Sequence, residues 1–123
     1  MKSYTDIEQS KTLSGILSLE SADMCYSNDG TAIKIDANSY TVRYSMWKDY
    51  VAEIIPCWSL AALLGVLPDD LKDNHFLTLS KEKDEYCCCY EDINGNSFRH
   101  TFANNPVDAC VAMIEKLHEL KML

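Results

Sequence analysis

Alternation of apolar and polar positions, the pattern of a half-buried β-strand, recurs along this chain. The strand-like runs lie at residues 31–36, 40–47, 75–80, 86–93 and 96–102. A polar turn separates the first two runs, which predicts a hairpin. Asn94-Gly95 separates the last two, and this dipeptide is typical of a two-residue hairpin turn. The pattern therefore predicts antiparallel pairing in both halves of the chain.

Apolar residues three and four positions apart predict helices between the strand-like runs. Thr5 and Glu8 have the spacing of a capping box, and Gly15 is a plausible stop, so a first helix is expected over residues 5–14. A central helix is expected to begin at Pro56, because proline suits the first helical position. Gly65 and Pro68 are expected to close this helix. Its apolar stripe consists of Leu60, Leu63, Leu64 and Leu67.

The last predicted element is a carboxy-terminal helix that begins near residue 105. Asn105 is a suitable cap, Pro106 a first-turn proline and Asp108 a first-turn acid. Strand runs and helices together predict an α+β fold over residues 1–123 as a single domain. We expect one antiparallel sheet of hairpins, with the central and carboxy-terminal helices packed on one of its faces.

The charge of the chain narrows the classes of partner. The 123 residues carry a formal charge of −8, which disfavours direct binding to nucleic acid and to anionic membranes. The first ten residues lack the apolar segment of a signal peptide, and the longest apolar stretch, residues 54–67, is too short to span a bilayer. A cytoplasmic location with reduced cysteines is therefore expected.

Three consecutive cysteines stand in one of the predicted strands, at residues 87–89. Counting outward from a two-residue turn at Asn94-Gly95 places Cys89 opposite His100 and Cys87 opposite Phe102. Since side chains alternate along a strand, the three cysteines do not form one cluster but divide between the two faces of the sheet.

The face assignment makes a prediction for each thiol. Cys87 and Cys89 are expected on an apolar face beneath the carboxy-terminal helix, because they share it with Ile93, Phe98 and Phe102. Cys88 is expected on the opposite face, as the most reactive thiol of the three, with Tyr86, Tyr90, Asp92, Arg99 and Thr101. Cys110 is expected to be buried in the helix stripe. Free cysteine behaves as a small apolar residue, so packing is the first interpretation of this run.

A second interpretation is chemical. Cys89 opposite His100 forms a thiol–imidazole pair of the kind that activates a nucleophile or binds a metal, with Cys87 two residues away. Only three ligands can be named, and no phosphate loop, catalytic triad order or zinc-binding spacing is present. The sequence therefore predicts no metal and no cofactor, and Cys89 and His100 stay weak candidates for catalysis or ligand binding.

The central helix carries a second apolar side that consists of Trp58, Ala61 and Ala62. A small domain has little material to cover both sides of a helix, and tryptophan is enriched among binding hot spots. We therefore expect these residues to form an interface, either with a partner protein or between two copies of the chain. The alternative is that Met46 and Trp47 fold over Trp58 and complete the core.

Three segments resemble a group of small uncharacterised proteins of Bacteroides-type gut bacteria and their prophage-like elements. The segments are residues 22–24 (Ala-Asp-Met), 55–64 (Ile-Pro-Cys-Trp-Ser-Leu-Ala-Ala-Leu-Leu) and 105–109 (Asn-Pro-Val-Asp-Ala). They match as caps and helix positions, not as catalytic signatures. The resemblance implies a setting in a prophage or mobile element of a bacterial cytoplasm and assigns no role to any residue.

These observations lead to an ordered set of hypotheses. The first is a non-enzymatic protein-interaction module, with a homodimer as one form. The second is a small enzyme or ligand-binding protein that uses Cys89 and His100. The third is an acidic DNA mimic that inhibits a nucleic-acid-binding host protein, because the surface is strongly acidic.

Overall fold

A computed structural model describes residues 1–26, 30–34, 55–71 and 74–123. Across these ranges the chain forms three α-helices and two antiparallel sheets of three and four strands. The expected α+β fold is thus confirmed, although the strands divide between two sheets. No helix in the described ranges is long and apolar enough to cross a membrane.

The helices and strands follow one another as α1 (Ile7–Ser14), a 3-10 turn (Leu19–Ser21), β1 (Met24–Tyr26), β2 (Ala32–Lys34), β3 (Ile55–Cys57), α2 (Leu60–Val66), β4 (Asp70–Leu71), β5 (His75–Glu82), β6 (Glu85–Glu91), β7 (Ser97–Ala103) and α3 (Pro106–Glu119). The four-stranded sheet has the order β4-β5-β6-β7, in which strands that are consecutive in the chain are neighbours.

The three-stranded sheet has the order β2-β1-β3. In it β2 pairs with β1, and Cys25 lies opposite Ile33. The sequence pattern predicted a hairpin of the β2 region with residues 40–47, which lie outside the described residues.

Helix α1 is capped one residue later than its sequence pattern indicated. Asp6, not Thr5, is the cap: its carboxylate accepts the backbone N–H of Gln9 at 2.8 Å, and the Gln9 side chain accepts the backbone N–H of Asp6. Thr5 is instead buried, and its hydroxyl oxygen accepts the backbone N–H of Trp58 at 3.1 Å. Gly15 follows the last helical residue, as predicted.

Helix α2 is shorter than expected, and its predicted start at Pro56 is wrong. Pro56 lies in β3 opposite Cys25, and the helix begins after Ser59, whose hydroxyl accepts the backbone N–H of Ala62 at 3.2 Å. β3 is an edge strand of the described sheet, where a proline without a backbone N–H is tolerated. Gly65 lies inside the helix and does not end it.

Helix α3 forms the centre of the molecule. Its start is as predicted, with Asn105 accepting the backbone N–H of Asp108 at 2.8 Å and Pro106 in the first turn. One side packs on β6 and β7, where the Thr101 hydroxyl donates to the carbonyl of Ala109 at 2.7 Å. Another side packs against α2. The helix buried on two sides is therefore α3.

Asp108 at the start of α3 also holds the amino-terminal segment in place. Its carboxylate accepts hydrogen bonds from Lys2 Nζ at 2.8 Å and from Gln9 Nε2 at 2.7 Å. Burial by itself raises the pKa of Asp108, but the hydrogen bonds from Lys2, Gln9 and Asn105 outweigh this effect and lower it. The first and last helices are thus joined through one carboxylate.

Candidate functional site

The pairing of β6 with β7 places the residues of the cysteine run. Cys89 lies opposite His100 and Cys87 opposite Phe102, as the sequence analysis predicted. The predicted two-residue turn is wrong, however. The loop holds three residues, 93–95, between Asp92 and Asn96, which are joined by a hydrogen bond of 2.9 Å from the backbone N–H of Asp92.

A β-bulge explains why the register at the cysteines is nevertheless correct. Tyr90 pairs with Phe98 and Cys89 with His100, so Arg99 is an extra residue in β7. Its φ of 58° lies in the left-handed region, as in bulges that usually contain glycine at this position. The longer loop shifts the register by one residue and the bulge shifts it back. The predicted pairing was right because two deviations cancel.

The predicted assignment of the two faces is wrong. Cys88 and Tyr90 are fully buried on the side that faces α3, and we call this side the helix-facing side. Strand β5 explains the result, because Leu77 pairs with Tyr90 and Leu79 with Cys88, which adds two leucines to this side. The tyrosines had been treated as outward-facing polar residues, but a tyrosine ring is a large apolar surface that is readily buried when its hydroxyl has a partner.

Cys88 meets Cys110 of α3 inside the core. Both side chains are fully buried, and each thiol shifts the pKa of the other. The interaction with Cys110 and the burial raise the pKa of Cys88 far above its usual range. Cys110 is buried as predicted, whereas Cys88, predicted to be the reactive thiol, is a packing residue.

The opposite side of the four-stranded sheet carries the candidate site, which we call the open face. It consists of Phe76, Thr78 and Ser80 of β5, Cys87, Cys89 and Glu91 of β6, and His100 and Phe102 of β7. Phe76 is 51% exposed and Phe102 is 57% exposed, and the ring of His100 stacks on Phe102 with centroids 6.0 Å apart. Large apolar side chains on this face thus contact solvent.

Cys89 lacks the features of an activated nucleophile. Its side chain is only 1% exposed, and its thiol donates to Glu91 Oε1 at 3.6 Å. Burial, the neighbouring Cys87 and the carboxylate of Glu91 raise the pKa of Cys89 to about 12, so the thiol is protonated at neutral pH. Although His100 lies opposite in the ladder, no hydrogen bond joins it to Cys89 within the described residues.

The open face also lacks a set of metal ligands. Among the residues that the structure describes, no group of three or more histidine, cysteine, aspartate or glutamate side chains is placed to hold a metal ion. What the open face presents to solvent around Cys87 is apolar and aromatic surface from Phe102 and Phe76, together with His100.

The structure also changes the interpretation of the second predicted site, the apolar side formed by Trp58, Ala61 and Ala62. Trp58 is fully buried in the core, and its indole N–H donates to Ser21 Oγ at 2.9 Å, so the expectation of an exposed tryptophan is wrong. Ala61 is exposed and Ala62 half-buried. Residues 46 and 47, the alternative cover for Trp58, lie outside the described residues. What α2 exposes here is a small alanine surface without an aromatic residue.

Carboxylates surround the apolar part of the open face. Glu82 and Glu85 pair with each other at one end of the sheet, Glu91 lies at the other end, and Asp70 of β4 pairs with Phe76. Burial raises the pKa of the Cys87 thiol, and the negative charges of Glu91, Glu82 and Glu85 raise it further. We call Asp70, Glu82, Glu85 and Glu91 the acidic rim.

The fold and this face define an α+β protein that covers one side of an antiparallel sheet with a helix and exposes aromatic residues on the other. Comparison of the chain with protein-family models, curated proteins and solved structures finds no match. The functional argument therefore depends on the geometry of the open face.

Native-state thiol labelling tests the reversed face assignment. Cys87 is half-buried whereas Cys88 and Cys110 are fully buried, so we expect a maleimide to modify Cys87 first and to reach the other two only on unfolding. Peptide mapping by mass spectrometry measures the order, and labelling in denaturant should abolish it. Rapid modification of Cys88 while Cys87 stays protected would restore the original assignment.

Proposed function

We propose that this protein is a non-enzymatic protein-interaction module that binds its partner with the open face of the four-stranded sheet. The observation that carries the proposal is the exposure of Phe76 and Phe102 on one face of a sheet whose other face packs on α3. Exposed aromatic side chains on a rigid sheet are typical of binding hot spots.

The rigidity of the face supports this function. β5, β6 and β7 are seven or eight residues long, and their other side packs on α3. Binding to such a surface needs little ordering of the protein, which lowers the entropic cost of association. The state of Cys89 is consistent with this view, because its protonated thiol is almost fully shielded and adds no reactive group to the surface.

The biological setting belongs to the same proposal. The resemblance of residues 22–24, 55–64 and 105–109 to small proteins of Bacteroides-type bacteria supports a role in a prophage or mobile element. In that setting, a small acidic module acts by occupying a surface of a host or phage protein.

A pull-down with matched variants tests the proposal. The wild type, a Phe76→Ser/Phe102→Ser double variant and an Ile93→Ser control are used to capture proteins from a lysate of cells that naturally express the protein. Ile93 is 92% exposed at the tip of the β6–β7 hairpin, outside the open face, so the control removes an exposed apolar side chain without changing the site.

We expect the wild type and the control to retain the same partner, and the double variant to lose it by roughly 30-fold or more, as for a hot spot worth about 2 kcal/mol. Near-ultraviolet circular dichroism confirms that all three proteins are folded. Equal recovery of every bound protein by the double variant would contradict the proposal.

A further inference from the structure

The charge around the open face limits the kind of partner that fits it. All four members of the acidic rim carry a carboxylate, and three of them, Glu82, Glu85 and Glu91, surround Cys87 closely enough to act on its thiol. The side chains of the open face include no lysine and no arginine. A partner with Lys or Arg beside an apolar stripe satisfies both the phenylalanines and the carboxylates.

Lys81, Arg99 and Lys116 make contacts with rings or backbone of the sheet, whereas Lys83 lies in the β5–β6 turn between Glu82 and Glu85. Lys81 Nζ lies 5.5 Å from the centre of the Tyr86 ring, which belongs to the helix-facing side. The guanidinium of Arg99 lies 4.4 Å from the centre of the Phe98 ring, and Lys116 reaches β7 from α3. Among the described residues, none of the rim carboxylates forms an ion pair with a lysine or arginine.

The spacing of the two phenylalanines indicates the shape of the partner. Phe76 pairs with Glu91 and Phe102 with Cys87, so the anchors are two strands apart and four residues apart along β6. These offsets correspond to about 10 Å across the strands and about 13 Å along them, or about 16 Å in all. That distance equals the rise of about eleven helical residues, or three turns.

We infer that the open face binds a basic amphipathic α-helix of another protein, about three turns long, whose apolar stripe contacts Phe76 and Phe102 and whose Lys and Arg side chains pair with the acidic rim. This inference rests on the proposed function and specifies the partner. Docking of an apolar helix face on a complementary surface is a common mode of recognition.

A second copy of this chain is a poorer occupant. Two open faces brought together would place the carboxylates of one rim against those of the other, and each chain carries a formal charge of −8. Like charges that meet at an interface oppose association. The same charge opposes a nucleic-acid or anionic lipid partner.

Synthetic peptides test the inference. The probes are 18-residue helical peptides with a Leu, Phe or Met stripe flanked by Lys, each paired with a peptide of the same stripe flanked by Glu. Fluorescence anisotropy measures binding to the whole protein at two salt concentrations. We expect at least one Lys peptide to bind, its Glu counterpart to bind about 30-fold more weakly or not at all, and added salt to weaken the complex.

A charge-matched pair of variants separates the effect of the acidic rim on peptide binding from the effect of net charge. Glu82→Gln/Glu85→Gln/Glu91→Gln should weaken the Lys peptide about tenfold and reduce its salt dependence, as expected for surface charge pairs. The control changes three exposed glutamates elsewhere by the same amount, namely Glu8→Gln/Glu20→Gln/Glu119→Gln, and should leave the affinity unchanged. Equal loss in both variants would show a non-specific charge effect and overturn the inference.

Two outcomes distinguish this inference from the proposed function. If no Lys peptide binds while recovery of the lysate partner still depends on Phe76 and Phe102, the partner class is wrong and the interaction module stands. If sedimentation shows a dimer that the Phe76→Ser/Phe102→Ser variant abolishes, the occupant is a second copy and the inference is overturned.

Discussion

Replacement of Trp58 by alanine is expected to lower the free energy of unfolding by about 3–5 kcal/mol, the usual range for removing a fully buried large aromatic side chain. Trp58 is completely buried, and its loss leaves a cavity within the core cluster. It also removes the hydrogen bond from the indole to Ser21 Oγ. Since small domains are stable by only about 5–15 kcal/mol, much of the stability is at risk.

Urea denaturation measures this loss, and two further variants resolve its origin. Trp58→Phe keeps most of the apolar volume and should recover most of the stability. Ser21→Ala removes the acceptor of the indole N–H and the hydrogen bond from Ser21 Oγ to the carbonyl of Ser18, and should cost about 1–3 kcal/mol because the indole N–H is left unpaired. A Trp58→Ala protein that is as stable as the wild type but fails to bind its partner would instead support the original interface interpretation.

Replacement of Tyr90 by alanine is the second large effect, also about 3–5 kcal/mol of unfolding free energy. Tyr90 is fully buried on the helix-facing side, and its hydroxyl donates to the carbonyl of Pro68 at 2.8 Å. Tyr90→Phe deletes only that hydrogen bond and should cost about 0.5–1.5 kcal/mol.

Phe102→Ala is the matched control for this prediction, because Phe102 lies on the open face at 57% exposure. Its effect on stability should stay within about 1 kcal/mol, as for most surface substitutions. The sequence pattern placed Phe102 in the core and Tyr90 outside. Comparing the stability losses of the two alanine variants therefore tests which face assignment is correct. A larger loss for Phe102→Ala than for Tyr90→Ala would reverse the assignment again.

Local signals explain which parts of the fold were predictable. The start of α3 was predicted because Asn105, Pro106 and Asp108 each satisfy a separate requirement of a helix start within four residues. The strands β5, β6 and β7 were predicted within two residues of their ends, because alternation and turn residues are short-range features.

Tertiary context explains the errors. Pro56 has the same φ preference in a first helical turn and in an edge strand, so only the pairing of β3 with β1 decides between them. The burial of Tyr90 depends on Leu77, which lies 13 positions earlier in the chain and becomes its neighbour only when β5 pairs with β6. No pattern within β6 and β7 alone contains that information.

The candidate site was found only in part for the same reason. Cys89 and His100 were correctly placed opposite each other, but the role of the face was not, because Phe76 comes from a strand that the hairpin argument did not include. Pairing the alternation of β5 with that of β6 would have placed both leucines beside Tyr90 and Phe76 on the open side.

The bulge at Arg99 has a consequence for aggregation. β7 is an edge strand of the four-stranded sheet as the structure describes it, and edge strands are sites where other chains add by backbone pairing. A left-handed residue in the middle of β7 interrupts its regular spacing of N–H and C=O groups and increases its twist. An extended chain that adds to this edge can therefore pair only over a short stretch on either side of the bulge. The same strand carries the exposed Phe102, so the bulge lets this surface stay apolar without promoting fibril growth from the edge of the sheet.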